Sequence, residues 1–161
     1  MVTTIRVVSV GKLKEKYLAD GVTEYKKRLS GYVKLDMVEV PDEALPANPS
    51  ASDIVRILDK EGKKVLKFIR DQEYVILLDL SGKMLSSEEL ADELNSLVIS
   101  GKSRITFVIG GSLGVSEELR SRASFCWSMS TLTFPHQFVR LLVLEQVYRA
   151  CRITRGERYH R

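Results

Sequence analysis

Five short runs rich in valine and isoleucine, separated by longer amphipathic stretches, constrain this chain more than any other feature. The runs are Thr4–Val10, Val33–Val40, Tyr74–Leu80, Arg104–Gly110 and Phe125–Thr131, and they read as strands. Between and after them, Leu13–Leu29, Ser52–Ile69, Ser87–Ile99, Ser116–Arg122 and Gln137–Ile153 repeat their apolar residues with helical period. Strands that alternate with helices imply an α/β fold built on a mostly parallel sheet covered by helices. Two helix starts are marked chemically. Ser86 with Glu89 forms a capping-box pattern, and Ser116 precedes Glu117 and Glu118, whose charges suit the first helical turn. Residues 41–52, PDEALPANPSAS, hold three prolines and read as an exposed loop too short to separate domains.

At 161 residues, with 44% hydrophobic and 29% charged side chains, the chain is expected to form one soluble domain. The opening segment lacks a basic stretch followed by a long apolar run, so a cytosolic protein is expected, without secretory signal or membrane span. Cys126 and Cys151 lie in apolar surroundings with no CxxC spacing. Buried free thiols are expected rather than a zinc site or a disulfide. The net charge of +4 is concentrated at one end, where Arg140, Arg149, Arg152, Arg155, Arg158 and Arg161 face only Glu145 and Glu157.

Three loops at the carboxyl ends of strands could carry chemistry. Phe107 to Gly114 passes from a strand through a glycine-rich turn into a helix, where bare backbone can approach a ligand. GGSLG is not GxGxxG, so a plain structural turn explains it as well. Met129 to His136 leaves the last strand for the last helix, with Pro135 suited to the first turn. Leu78, followed by Ser81-Gly82-Lys83, supplies the third loop. Together they could line a pocket whose backbone groups read an adenine while apolar side chains cover it. His136 is either a base or a structural hydrogen-bonding residue. The terminal segment from Arg155 to Arg161 combines cations, a tyrosine and a histidine, suited either to RNA or to a solvated terminus. On the last helix Arg149, Arg152 and Arg155 line one flank. Leu141, Leu144, Val147, Tyr148 and Cys151 form an apolar stripe that could continue into a subunit interface.

The series VSVGKLKEKY, LDLSGKMLSSEELA, FVIGGSLG, LTFPHQFVRLLVLEQVYRA and RGERYHR resembles the RlmH family from end to end. The pairing of TFPHQ and RLLVLEQVYRA with a terminal YHR is the most specific part of the match. The resemblance implies a single SPOUT-class domain over residues 1–161. Its α/β-knot fold would have a mostly parallel sheet of five to six strands, helices on both faces, and a C-terminal trefoil knot around the cofactor site. General topology rules would not yield such a knot. The resemblance further implies a homodimer that uses S-adenosyl-L-methionine, needs no metal, and methylates N3 of a pseudouridine in a hairpin of 23S ribosomal RNA within the 70S ribosome. Neither a membrane nor DNA is an implied partner.

Carried over by motif, the cofactor-binding positions are Leu78, Gly110, Met129, Ser130, Thr131, Leu132, Thr133 and Phe134. Tyr159, His160 and Arg161 match the family's terminal catalytic residues. Arg158 stands where many relatives have proline, which adds charge and removes a rigid residue that would aim the tail. Methyl transfer from a sulfonium is an in-line displacement, so His160 or a water beside it would take the N3 proton. Alternatively the proton leaves to solvent while Arg152 or Arg161 stabilises the developing charge. Two competing readings are a non-catalytic RNA- or ribosome-binding protein of the same fold and a methyltransferase acting on another RNA. Intact GGSLG and TFPHQ speak against the first, and the tail against the second.

Overall fold

A computed structural model describes residues 3–159. Its elements follow the expected alternation: β1 (Thr4–Val10), α1 (Lys16–Leu29), β2 (Lys34–Val40), α2 (Ala51–Leu66), β3 (Tyr74–Met84), α3 (Ser87–Ile99), β4 (Arg104–Ile109), α4 (Glu117–Arg122), β5 (Phe125–Ser128) and α5 (His136–Thr154). Among the described residues the sheet has five strands in the order β2-β1-β4-β3-β5, and every ladder is parallel. Strand order reverses between β1 and β4.

Side chains alternate between two cores because successive strand residues point to opposite faces. On one face Ile5, Val7, Ile76, Ile105, Phe107 and Ile109 pack with Val22 of α1, Leu90 of α3 and Val143 of α5. On the other, Val8, Val10, Val75, Leu77 and Val108 pack with Val65 of α2 and Leu119 of α4. Helices therefore cover both faces, as the α/β reading required. Phe107 is fully buried at the sheet centre and meets Trp127 edge-on, with ring centroids 6.1 Å apart.

Several boundaries moved for local chemical reasons. Helix α2 begins at Ala51, capped by Ser50, whose side chain accepts from the Asp53 N–H while the Asp53 carboxylate takes the Ser50 N–H. Ser86 and Glu89 form the capping box expected of them, and the Ser116 hydroxyl accepts from the Leu119 N–H. Helix α1 starts at Lys16 rather than Leu13. The N–H groups of Leu13 and Lys14 instead donate to Glu39 Oε2 at 2.8 Å and Gln137 Oε1 at 3.0 Å. Strand β5 ends at Ser128, which leaves residues 129–131 as loop. Cys126 and Cys151 are free and half-buried, and burial pushes the Cys151 thiol up to about 11.

Truncating Phe107 to alanine removes the ring that joins β4 to β5 under the first core. Phe107→Ala is expected to lower unfolding free energy by about 3–5 kcal/mol, measured by urea titration. A loss below about 1 kcal/mol would show that the strands pack independently of it.

Candidate functional site

The carboxyl ends of β3, β4 and β5 meet at one edge of the sheet. After Ile109 the chain turns back on itself, with the Gly114 N–H donating to the Gly111 carbonyl at 3.1 Å. Gly110 has no room for a side chain, because a β-carbon there would stand 2.7 Å from both the Gly114 oxygen and Val115 Cγ1. In β3, Leu78 and Lys83 both pair opposite Trp127, so the residues between them bulge out of the ladder. Asp79 Oδ1 accepts from the Ser81 N–H and hydroxyl, which fixes that bulge. Beyond β5 the Ser128 hydroxyl donates to the Ser130 carbonyl at 2.9 Å, and Ser130 Oγ accepts from the Leu132 N–H at 3.0 Å. Two short polar side chains thus shape the loop that the β-branched pattern alone read as strand.

These three loops enclose a pocket of about 280 Å³. Of the residues singled out as cofactor-binding, Leu78, Gly110, Met129, Ser130, Leu132, Thr133 and Phe134 line it. Thr131 is exposed in the same loop and is not in the wall. Ile109, Val115, Trp127 and Val139 add apolar surface, while the loops bring backbone groups to the edges. Such a lining suits a flat heteroaromatic group, with its faces covered by side chains and its edges read by peptide groups. The wall also includes Asp79 and Arg120, which form an ion pair at the rim. Sequence reasoning missed that pair, since no spacing links residues on β3 and α4 before the fold is known. His136, at the start of α5, lines the pocket too. Burial, then the nearby Arg140 cation, holds its imidazole below the ordinary value, against an opposing pull from Asp42.

The catalytic candidates lie elsewhere on the same chain. Arg152 donates to the Tyr32 hydroxyl at 3.1 Å and the Arg158 carbonyl at 2.7 Å, and stands 2.6 Å from the Glu157 carboxylate. The Tyr159 phenol donates to Glu145 Oε1 at 3.2 Å and lies 3.2 Å from the Tyr25 hydroxyl, with its ring edge-on to Tyr148. Burial, with the hydrogen bond to Tyr25 and the charge of Glu145, pushes that phenol well above its usual range. It is a neutral donor at physiological pH. Glu145 sits nine residues beyond His136 on α5, about 14 Å along the axis, so Tyr159 is not brought to the pocket of its own chain. His160 and Arg161 lie outside the described residues.

Two expectations for α5 are corrected. The apolar stripe is not free for a second copy: Leu144 and Val147 are fully buried in the chain's own core, with Leu141, Tyr148 and Cys151 packed against them. Nor is the arginine flank a bare charged row. Arg149 meets Glu145 at 2.6 Å, Arg152 meets Glu157, and the Arg155 guanidinium lies over the Tyr32 ring at 4.3 Å. Glu145, one turn from Arg149, and Glu157, past the helix end, neutralise two of the three arginines, while Arg155 keeps its charge over the Tyr32 ring.

Residues 3–160 match the family described as "Predicted SPOUT methyltransferase". Over 157 residues the chain is 52% identical to "Ribosomal RNA large subunit methyltransferase H" of Desulfitobacterium hafniense (strain DSM 10664 / DCB-2), covering 98% of each chain. It is 55% identical over 157 residues to the protein of that name from Alkaliphilus oremlandii (strain OhILAs), covering 98% of this chain and 99% of the other. Among solved structures, that of "a probable methylase family protein from Haemophilus influenzae Rd KW20" superposes with a TM-score of 0.55 over 100% of this chain and 72% of that one. At 14% identity, that likeness is one of fold alone.

The environment of His136 has a measurable consequence. Because the folded state favours the neutral imidazole, stability from this group is complete above the ordinary value of 6.5 and is lost as pH falls through the lower, folded value. An NMR titration of His136 is expected to give a midpoint below 6.5, with thermal stability declining over the same acid range. A midpoint at or above 6.5 would mean that neither burial nor Arg140 acts on the ring.

Proposed function

Because this chain belongs to the SPOUT methyltransferase family, we propose that it is a ribosomal RNA large subunit methyltransferase whose acceptor is N3 of a pseudouridine in a 23S hairpin. The reading includes S-adenosyl-L-methionine as methyl donor, the assembled 70S ribosome as substrate, a homodimer as the working unit and a cytoplasmic setting. It takes in the single domain and the C-terminal knot that the sequence resemblance implies. What carries it is the coincidence of two facts: relatives of that name are more than half identical over nearly the whole chain, and the three loops that the family motif singles out frame one pocket.

The pocket fits the donor. Gly110 keeps its stretch of backbone bare, and the apolar wall of Ile109, Val115 and Trp127 offers cover for an adenine. When bound, S-adenosyl-L-methionine supplies an electrophilic methyl group on sulfur. The chain's own residues supply the rest. Leu78, Gly110 and the loop 129–134 would hold and orient the cofactor. His160, or a water beside it, accepts the N3 proton, or the proton leaves to solvent while Arg152 or Arg161 stabilises the developing charge. Tyr159, being neutral, donates a hydrogen bond and does not act as base.

Distance supports the homodimer reading. The Tyr159 phenol rests on Glu145, away from its own pocket, so a tail that serves a pocket comes from a second copy. Tyr17 and Phe138 touch ring to ring at the starts of α1 and α5, and both are exposed, as is Leu132 at the pocket rim. That apolar surface near the mouth is where a second copy would dock. Arg155 and Arg158, exposed at the tail, are the cations best placed to meet phosphates. No helix among the described residues is long and apolar enough to cross a membrane.

Labelled S-adenosyl-L-methionine and 70S ribosomes lacking the modification test the reading directly. The label is expected in 3-methylpseudouridine on nucleoside mapping. Label in another nucleoside would overturn the acceptor, and cofactor binding without transfer to any ribosomal RNA would favour a non-catalytic binding protein. In the same assay His160→Ala is expected to lower turnover by about 10²-fold or more. Wild-type turnover in that variant would remove the histidine from the chemistry.

A further inference from the structure

A second cavity adjoins the first across the Gly111–Ser112 turn. It encloses about 200 Å³ at the carboxyl ends of β2, β1 and β4 and shares Gly111, Ser112 and His136 with the pocket already described. Its chemistry is different. Asp42, Glu43 and Glu61 bring three carboxyl groups to the wall, and no lysine or arginine among the described residues lines it.

Glu61, on α2, is only 7% exposed. A carboxylate buried that deeply is normally paired or fully hydrogen-bonded. Glu61 is half satisfied. Its Oε2 accepts from the Glu43 N–H at 3.0 Å, whereas Oε1 accepts no hydrogen bond among the described residues. The neighbouring cations are engaged elsewhere. Lys64 holds the Glu43 carboxylate at 2.8 Å and the Pro41 carbonyl at 3.1 Å, while Arg140 holds Glu39 and the carbonyls of Val10 and Gly11. The Lys64 contacts pin the loop over Glu61 and leave Oε1 on the Gly111 side. A β-carbon at Gly111 would stand 3.7 Å from that oxygen; glycine keeps the approach open. Burial raises the Glu61 pKa, and Asp42 adds to the effect.

An acidic cavity repels phosphates and carbonyl edges, and it accepts N–H donors. Donor and acceptor of a transferred methyl group must occupy adjoining sites, with the reacting atoms about 3–3.5 Å apart. Resting on the pseudouridine reading above, we propose that this second cavity receives the acceptor base and that Glu61 Oε1 takes a hydrogen bond from N1–H of pseudouridine. Pseudouridine is joined to ribose through C5, so its N1 carries a proton; in uridine N1 is bonded to the sugar and has none. N1 and N3 flank C2, and their N–H directions diverge. A ring that turns N3 toward the cofactor pocket therefore turns N1–H away from it, toward α2. Glu61 is thereby the residue that distinguishes pseudouridine from uridine, because uridine leaves the carboxylate oxygen that faces the cavity without a donor.

The test compares kcat/KM for methylation of 70S ribosomes carrying either pseudouridine or uridine at the target position. Wild-type protein is expected to prefer pseudouridine. Glu61→Ala is expected to lower the pseudouridine-to-uridine ratio by about tenfold or more. Glu61→Gln keeps the shape and one acceptor oxygen without the charge, and is expected to lower the ratio by about threefold. An unchanged ratio overturns the assignment, whatever happens to the absolute rates, and the glutamine variant decides the matter should the alanine variant not fold. Wild-type protein that makes no distinction between the two ribosomes would instead sink the pseudouridine reading itself.

Discussion

A sheet whose strands all run parallel cannot leave either face to water, and that constraint organises this molecule. Each strand must serve two cores at once: Val7 and Val8 are adjacent in β1, both are fully buried, and they belong to opposite faces. Every connection must also carry the chain back to the same starting edge, which gathers the carboxyl ends of all five strands at the other. The loops there are free of the packing that fixes the strands. Where strand order reverses, between β1 and β4, neighbouring loops diverge and leave a crevice. The two cavities lie on either side of that reversal, and the glycine turn after β4 is the partition between them.

Arg140 ties this edge together. It is 2% exposed, and its guanidinium spans from α5 to the ends of two strands, bonding the carbonyls of Val10 and Gly11 and the Glu39 carboxylate. A buried cation of this kind contributes little net stability once its desolvation is counted, but it specifies position, because its bonds to Glu39, Val10 and Gly11 require α5 to sit against the ends of β1 and β2. His136 lies one helical turn earlier, so the contact that seats α5 against β1 and β2 also sets the group common to both cavities. The same cation helps keep the His136 imidazole neutral.

Much of this was legible in the sequence because it depends on local pattern. Apolar runs and helical periods gave every element its type, and serine caps marked the starts of α3 and α4. The loops at the strand ends could be named as well, since glycine and proline punctuate them. What escaped notice was built from partners distant in sequence. Asp79 and Arg120, Glu61 and Gly111, and Arg140 and Glu39 each come together only when the sheet closes. The charged face of α5 misled for the same reason. Arginines at spacing three read as a charged flank, yet Glu145 on the same helix and Glu157 just past its end neutralise two of them.

That neutralisation bears on how such a small chain can recognise RNA. Six arginines from Arg140 onward supply the positive excess, but Arg140 is buried, and Arg149 and Arg152 are held by glutamates. Phosphate contacts are what give affinity its salt dependence and reach, and among the described residues of that segment only Arg155 and Arg158 are exposed without a carboxylate partner. Exposed lysines elsewhere in the chain, such as Lys26, Lys27 and Lys34, remain open to phosphates. Once the RNA is placed, selection falls to base edges, where one donor matched to one buried acceptor discriminates more sharply than several surface charges. An acidic cavity beside an apolar one suits the proposed division, in which one side would hold a methyl donor by its faces and the other would favour a ring that offers a proton.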